Sequence, residues 1–232
     1  MVAKCLCKST TFTLALSEVL LQCVTEVFYI MDNIKILQWN CNGLRSRIDD
    51  IKQLLIHNFD IICLQETRLT NNCKFSIPGY NILRKDRPNG QLGEGQITAI
   101  KKNLFYDKID NLAIYSLELL TIQMILDNEP VIIVNLYRKP ETYTDLQTWD
   151  TLLQHINTIN SQKVICGDFN AHSNVWSSNN NPSGATLTQA LNNTYLIVLN
   201  DPDTCTIRTR PGWTPGSPDI SIVETILAIK CE

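Results

Sequence analysis

The sequence predicts an α/β fold with many strands, in which two β-sheets can pack face to face. Two observations support this prediction. Short apolar runs bounded by polar or turn-forming residues recur from Ile34 onward, and stretches with helical spacing of apolar residues lie between several of them. With 232 residues, 44% of them hydrophobic, and no internal repeat, the chain is expected to form one large α/β domain.

Eight apolar runs are predicted to be strands. Each is rich in β-branched or other large apolar residues, and most of them end on a polar or turn-forming residue. The runs cover residues 34–40, 60–67, 80–86, 96–104, 117–126, 131–139, 163–170 and 219–223.

Three further segments, 47–58, 145–160 and 185–194, are predicted to be helices. The second has the strongest pattern, because its apolar residues recur at the three- and four-residue spacing of one helix face. These residues are Leu146, Trp149, Leu152, Leu153, Ile156 and Ile159. The third segment has a weaker pattern.

Residues 1–31 differ in character from the rest of the chain. Their apolar stretch is interrupted by Glu18 and Glu26, which argues against a membrane-spanning helix and against a secretory signal. We therefore expect an N-terminal extension outside the fold, a domain covering residues 32–232, and no membrane association.

Charge and cysteine content exclude some classes of protein. The formal net charge is −3 and the pI is about 5.6, whereas a protein that binds DNA by charge alone is usually basic. The nine cysteines are odd in number and show no paired spacing, which favours reduced, buried thiols in an intracellular protein over a disulfide framework or a zinc site.

Polar side chains stand where several predicted strands end. Asp168 and Asn170 are two residues apart, so on a strand they project to the same side. Taken singly, such residues often only start a turn. Taken together they favour a shared pocket of carboxylates and amides, which suits Mg²⁺ or Mn²⁺ better than zinc. The other members of the set are Asn40, Asn42, Glu66, Asn135, Tyr137 and Asp219.

The segments QWNCNGL, LQET, NLYRKP, CGDFNAH and GSPDIS occur in this order along the chain. With them the chain resembles the endonuclease/exonuclease/phosphatase superfamily, and most closely the endonuclease domain of LINE-type, jockey-like non-LTR retrotransposons. The resemblance covers residues 33–223. It implies a four-layer α/β sandwich, in which two packed mixed sheets are flanked by helices. It also implies that the domain cuts phosphodiester bonds in DNA with the help of a divalent metal.

The resemblance also implies roles for individual residues. Glu66 matches the main metal ligand, with Asn42 beside it. Asp168 matches the group that orients or deprotonates the attacking water, and Asn40 matches a residue that supports both the metal and Asp168. Asn170 matches a contact to the scissile phosphate.

Three more positions match with some departures from the family pattern. Tyr137 matches a tyrosine that approaches the phosphate, Thr206 a threonine that contacts DNA, and Asp219 an aspartate that orients a catalytic histidine. The family pattern continues past Asp219 with another strand and a Ser-Asp-His triplet, whereas this chain reads SIVETILAIKCE. We therefore expect the last strand and the catalytic histidine to be missing. The three histidines of the chain, His57, His155 and His172, do not match that position.

The resemblance implies a Mg²⁺- or Mn²⁺-dependent DNA endonuclease that nicks target DNA, fused to a reverse transcriptase in a full-length element and acting in the nucleus. Two alternatives stay open. One is a truncated relic of that domain with weak or no catalysis, and the other is a different phosphodiesterase or phosphatase of the superfamily. Two loops, 177–183 and 208–216, are expected to contact the DNA target.

Overall fold

The computed structural model describes residues 26–30, 34–86, 94–110, 112, 114, 116–203, 205–206 and 216–230. The predicted DNA-contacting loop 208–216 lies outside these residues except for Gly216. No helix in the described part of the chain is long and apolar enough to cross a membrane.

The described residues form strands and helices that alternate along much of the chain. In chain order they are β1 (Glu26–Ile30), β2 (Ile34–Asn40), α1 (Ile48–Leu55), β3 (Ile61–Gln65), β4 (Tyr80–Lys85), β5 (Gln96–Lys101), β6 (Asp107–Ile109), β7 (Leu117–Leu126), β8 (Glu129–Arg138), α2 (Leu146–Thr158), β9 (Gln162–Asp168), α3 (Pro182–Leu191), β10 (Leu196–Val198), β11 (Asp219–Glu224) and α4 (Thr225–Lys230). A 3₁₀ turn, Leu44–Arg47, leads into α1.

The strands form two mixed sheets. The first has the order β1-β2-β3-β5-β4 and the second the order β10-β11-β9-β8-β7-β6. Each sheet has one parallel pair, β2 with β3 and β8 with β9, and its other pairs are antiparallel. The carboxyl ends of these four parallel strands are the positions where the sequence has its polar residues.

The two sheets pack face to face, and helices cover their outer faces. The interface between the sheets is a buried apolar cluster to which both contribute, for example Ile36 and Ile61 from the first and Ile133 and Val164 from the second. A second cluster joins the first sheet to α1. A third joins the second sheet to α2 and α3, with Trp149 fully buried in it. The predicted four-layer α/β sandwich is confirmed.

All eight predicted strands and all three predicted helices are present. Helix α3 begins three residues earlier than predicted, at Pro182, because the side chain of Asn181 accepts a hydrogen bond from the backbone N–H of Gly184 and so caps the helix. Strands β6 and β10 and helix α4 were not predicted from the sequence. They are three to six residues long, which is too short to show a period.

Strand β1 lies within residues 1–31, the segment expected from the sequence to be an extension before the domain, and the boundary at residue 32 stays a prediction. It pairs antiparallel with β2, with Glu26 opposite Gln38 and Ile30 opposite Ile34. This pairing satisfies the backbone N–H and C=O groups along the edge of β2. The apolar pattern of a single segment does not reveal which edge strand needs such a partner. The residues before Glu26 lie outside the described part of the chain.

Candidate active site

One amide joins two carboxyl groups that come from different sheets. Asn40, the last residue of β2, donates through Nδ2 to Asp168 Oδ2 over 2.6 Å and to Glu66 Oε1 over 3.1 Å. Glu66 follows β3 in the first sheet, and Asp168 ends β9 in the second. The structure thus brings together three of the residues singled out in the sequence, at the edge where the parallel strands end.

Tyr137 joins the same group from β8. Its hydroxyl donates to Glu66 Oε1 over 3.3 Å, and the residue is only 3% exposed. Burial, and then the nearby charges of Glu66 and Asp168, raise the pKa of the phenol far above its ordinary value. The hydroxyl therefore stays protonated and remains a hydrogen-bond donor at every physiological pH.

Asp168 is a buried carboxyl group with a raised pKa. Burial is the main cause, and the negative charges of Asp219 and Glu66 add to it, because each disfavours a further charge nearby. Two hydrogen bonds oppose the shift of the pKa, one from Asn40 and one from the backbone N–H of Asn170, which donates to Oδ1 over 3.0 Å. Asp168 is therefore a better proton acceptor near neutral pH than an exposed aspartate.

Asp219, at the start of β11, is the direct neighbour of Asp168 across the antiparallel pair β9–β11. Gln38 donates through Nε2 to Asp219 Oδ1 over 2.9 Å. Thr206, predicted to contact DNA, is buried, and its hydroxyl accepts from the backbone N–H of Asp219 over 3.4 Å. Its contact with DNA stays a prediction.

The loop after β2 carries Asn42 past Glu66. Backbone hydrogen bonds tie this loop to the residues after β3, including one from the N–H of Gly43 to the carbonyl of Glu66 over 2.8 Å. Asn42 is exposed, and its own N–H donates to Asn40 Oδ1 over 3.0 Å. Asn42 is therefore next to Glu66 in space, as a shared role in metal binding requires.

Four residues at this edge have a backbone conformation that non-glycine residues seldom adopt. Their φ angles are +44° at Asn42, +50° at Glu66, +52° at Arg68 and +46° at Asn170. Such left-handed residues cost free energy and gather at functional sites, where the surrounding structure holds them in place. Their concentration around one group of side chains supports a functional pocket here.

Gly167, just before Asp168, is required by close backbone packing. A Cβ atom at this position would lie 1.8 Å from the carbonyl oxygen of Leu136 in β8, and the φ angle of Gly167 is +152°. Any other residue would push β9 away from β8, and this would move Asp168 relative to Tyr137. The glycine of the GDFN segment thus keeps the two strand ends in register.

The residues present fit a hard divalent cation. Among the described residues, no three His, Cys, Asp or Glu side chains lie close enough to form a metal site by themselves. Mg²⁺, however, is commonly held by one or two carboxylates together with water and substrate oxygens. Glu66 has a 17% exposed side chain beside exposed Asn42 and fits such a set. Its ion pair with Arg68, 3.1 Å long, lies at the surface and is weak enough for a cation to replace it.

Asn170 and His172 lie on the loop after β9. The side-chain amide of Asn170 donates to the carbonyl of Arg138 over 2.8 Å. The Nδ1 atom of His172 lies 3.4 Å from the Ser177 hydroxyl. Burial, and then the positive charge of Arg138, lowers the pKa of His172. None of the histidines of the chain hydrogen-bonds any described atom of Asp219.

Several buried amide side chains extend from Asp219 between the two sheets. Gln38 donates to Gln65 Oε1 over 2.8 Å, and Gln65 donates to Asn135 Oδ1 over 2.7 Å. Asn135 therefore lies in the interface between the sheets and not in the pocket, although the sequence groups it with the polar strand ends. Gln96 also belongs to this group, since its Nε2 donates to the carbonyl of Asn135 over 3.1 Å. Gln38, Gln65 and Gln96 were missed from the sequence. Gln38 stands two residues before Asn40, and Gln65 stands directly before Glu66. This closeness to two predicted site residues was the signal by which the sequence could have revealed them.

The comparisons with known proteins agree with this description. A family model described as "Endonuclease-reverse transcriptase" matches residues 131–232. A curated relative, "Probable RNA-directed DNA polymerase from transposon BS" of Drosophila melanogaster, is 24% identical over 202 residues. The match covers 84% of this chain but only 22% of that relative, so the chain spans about a fifth of its length.

Solved structures of the same fold include the endonuclease domain of TRAS1, a telomere-specific non-LTR retrotransposon. It matches with a TM-score of 0.64 and 17% identity, over 81% of this chain and 84% of that domain. The AP endonuclease LMAP from Leishmania major matches with a TM-score of 0.60 and 17% identity, over 84% of this chain and 80% of that one.

The chain has the α/β-sandwich fold of these solved structures. The predicted resemblance to the endonuclease/exonuclease/phosphatase superfamily, and within it to the endonuclease domains of LINE-type retrotransposons, is confirmed.

Proposed function

We propose that this chain is a DNA endonuclease domain that depends on Mg²⁺ or Mn²⁺ and nicks a phosphodiester bond. The observation that carries the proposal is the meeting of Glu66 and Asp168, from two sheets, on the single amide of Asn40. The transposon-type relatives and the DNA-processing structures of the same fold support DNA as the substrate. The transposon relative also supports fusion to a reverse transcriptase in a longer protein, and we propose that this protein acts in the nucleus.

Each side chain has a task that its surroundings favour. Asp168, with its raised pKa, accepts the proton of the attacking water. Tyr137 has a single hydroxyl hydrogen, which it donates to Glu66; it would turn this hydrogen from Glu66 to the charge that develops on the phosphate. The bond from Asn170 Nδ2 to the carbonyl of Arg138 uses one of its two hydrogens, so the other can be donated to a phosphate oxygen.

The metal would be held by Glu66 and Asn42. When bound, it supplies positive charge that stabilises the phosphate in the transition state and helps to activate water. A cation also explains how a chain with a net charge of −3 could approach an anionic polymer, because the ion reverses the local electrostatics.

One observation favours a slower variant of this activity as a second candidate. Within the described part of the chain, Asp219 accepts a hydrogen bond from the amide of Gln38 and none from His57, His155 or His172. An imidazole in that place typically contributes on the order of 100- to 10,000-fold as an acid–base group. A domain that works without it would bind DNA and metal but cut slowly.

Incubation of supercoiled plasmid with the purified chain tests the proposal. We expect nicked circles with Mg²⁺ or Mn²⁺ and none with EDTA. Parallel assays with a phosphate monoester and with phospholipid vesicles separate nuclease activity from phosphatase or lipid phosphodiesterase activity. Hydrolysis of those substrates without nicking would contradict the proposal.

A further inference from the structure

A buried arginine lies beside the pocket. Arg138 ends β8, follows Tyr137 directly and is only 2% exposed. Its guanidinium group makes five hydrogen bonds, one for each of its N–H donors. The acceptors are Thr144 Oγ1 at 2.8 Å, the carbonyls of Phe169 at 3.2 Å, Asn170 at 3.0 Å and Thr142, and Ser183 Oγ at 2.5 Å.

All five acceptors are neutral oxygens. In the described part of the chain, Arg138 has no carboxylate within ion-pair distance. Burial therefore lowers the pKa of its guanidinium group, and the charge of Asp168 only partly opposes this. A buried charge without an ionic partner is costly, and here five hydrogen bonds offset that cost. Loss of the arginine would leave these five acceptors without their donor, so the side chain holds together the segments that carry them.

The five hydrogen bonds connect three separate parts of the chain. They join the end of β8 to the loop before α2, to the loop after β9, and to the first turn of α3. The connection to Asn170 runs in both directions, because Arg138 donates to the carbonyl of Asn170 while Asn170 donates to the carbonyl of Arg138. Asn181 donates to that same carbonyl of Asn170 over 2.9 Å.

We propose that Arg138 is a positioning residue for the reaction: it holds the peptide group between Phe169 and Asn170, which places the Asn170 N–H on Asp168, and it holds the left-handed turn at Asn170, which places the side chain at the phosphate. The inference rests on the proposed nuclease function. The reason lies in geometry: the Phe169 carbonyl, which accepts from Arg138, and the N–H of Asn170, which donates to Asp168 Oδ1, belong to one planar peptide group. The φ angle of +46° at Asn170 then turns its own carbonyl to the same guanidinium group. Arg138 holds this turn in place by donating a hydrogen bond to the carbonyl of Asn170.

Only arginine can do this at the site. A lysine in its place has the same charge but three donors on one nitrogen, so it cannot reach five acceptors spread around a planar fork. Arg138→Lys therefore keeps the positive charge and removes the positioning, whereas Arg138→Met removes both.

The test compares these two variants with Val131→Ala, which alters the fully buried core at the other end of β8. Three quantities are measured in each protein: stability to urea, hydrogen exchange of the backbone in residues 168–183, and the single-turnover nicking rate at saturating DNA. Ser183→Ala, which removes one of the five acceptors, serves if the arginine variants do not fold.

We expect both arginine variants to exchange residues 168–183 about tenfold faster or more, as the loss of one or more net hydrogen bonds implies. Their nicking rate should fall on the order of 100-fold, with the DNA concentration for half-saturation little changed. Val131→Ala should lose stability without either effect. If Arg138→Lys cuts like the wild type, or if its loop exchanges no faster than that of Val131→Ala, the proposal is overturned. If the wild type does not nick DNA at all, the proposed function fails, and exchange in 168–183 alone decides whether Arg138 holds the loop.

Discussion

Asn40 Nδ2 lies 2.6 Å from Asp168 Oδ2, and this contact ties the first sheet to the second at the candidate active site. The same nitrogen donates to Glu66, so a single side chain stabilises two negative groups. Hydrogen bonds to charged groups contribute about 1.5–3 kcal/mol each. The amide therefore offsets part of the repulsion between the carboxylates.

Replacement of Asn40 by leucine should weaken both stability and cleavage. We expect a loss of about 3–6 kcal/mol in the free energy of unfolding, since two hydrogen bonds to charged groups are removed. The pKa of Asp168 should rise further, because the bond from Asn40 holds it down. Urea unfolding and a pH–rate profile measure these effects, and Asn103→Ala, at an exposed residue of a surface turn, is the control. An unchanged pH–rate profile would contradict the assignment.

Glu66→Gln should abolish tight binding of Mn²⁺. The variant keeps the size of the side chain but loses the charge that a hard cation requires. Calorimetric titration of Mn²⁺ into both proteins measures the effect. Glu129→Gln, at an exposed residue that starts β8, removes one negative charge elsewhere and should leave binding intact. Equal Mn²⁺ affinity in the wild type and Glu66→Gln would show that the metal is held by other groups.

Asp168 should make stability depend on pH in the metal-free protein. Its folded-state pKa is raised, so the folded state holds the proton more tightly than the unfolded state does. This contribution to stability is fully present below about pH 4, the ordinary pKa of aspartate, and is lost as the pH rises through the raised value. The free energy of unfolding of the wild type, relative to Asp168→Asn, should therefore fall between pH 4 and neutral pH with EDTA present. A flat or rising difference would refute the raised pKa.

Tyr137→Phe should slow nicking while leaving the fold intact. The variant loses one hydrogen bond to Glu66, about 1.5–3 kcal/mol for a charged acceptor, and keeps the buried ring. Because burial and the carboxylates keep the phenol protonated, we expect the wild-type rate to show no tyrosine ionisation up to pH 9. A variant that cuts at the wild-type rate would remove Tyr137 from the mechanism.

Two truncations test the role of β1. Deletion of residues 1–25 should leave the thermal midpoint nearly unchanged. Deletion of residues 1–31 also removes β1 and uncovers the edge of β2, so we expect a lower midpoint and a tendency to aggregate. Equal midpoints for both truncations would support the domain boundary predicted from the sequence.

The sequence predicts the layers well because each strand and helix buries one apolar face, and that periodicity is local information. It also predicts Asn40, Glu66 and Asp168 together, since parallel strands place their carboxyl ends at one edge. The roles of Gln38 and Arg138 could not be predicted in this way. Gln38 acts on Asp219 across 181 residues, and Arg138 gathers acceptors from two loops and from the first turn of α3. Such contacts depend on the packing of sheets, loops and helices, which no single segment encodes.

The most direct test of the account is the single-turnover nicking of supercoiled plasmid by the wild type and by Asp168→Asn at saturating Mn²⁺. The substitution is nearly isosteric and removes the proton acceptor. Glu66 and Asn42 remain, so Mn²⁺ binding, measured in parallel, should persist. We expect the wild type to nick DNA only when the metal is present, and Asp168→Asn to be on the order of 100-fold slower or more. Equal rates for the two proteins, or nicking by the wild type in EDTA, would contradict a metal-dependent centre built on Glu66 and Asp168.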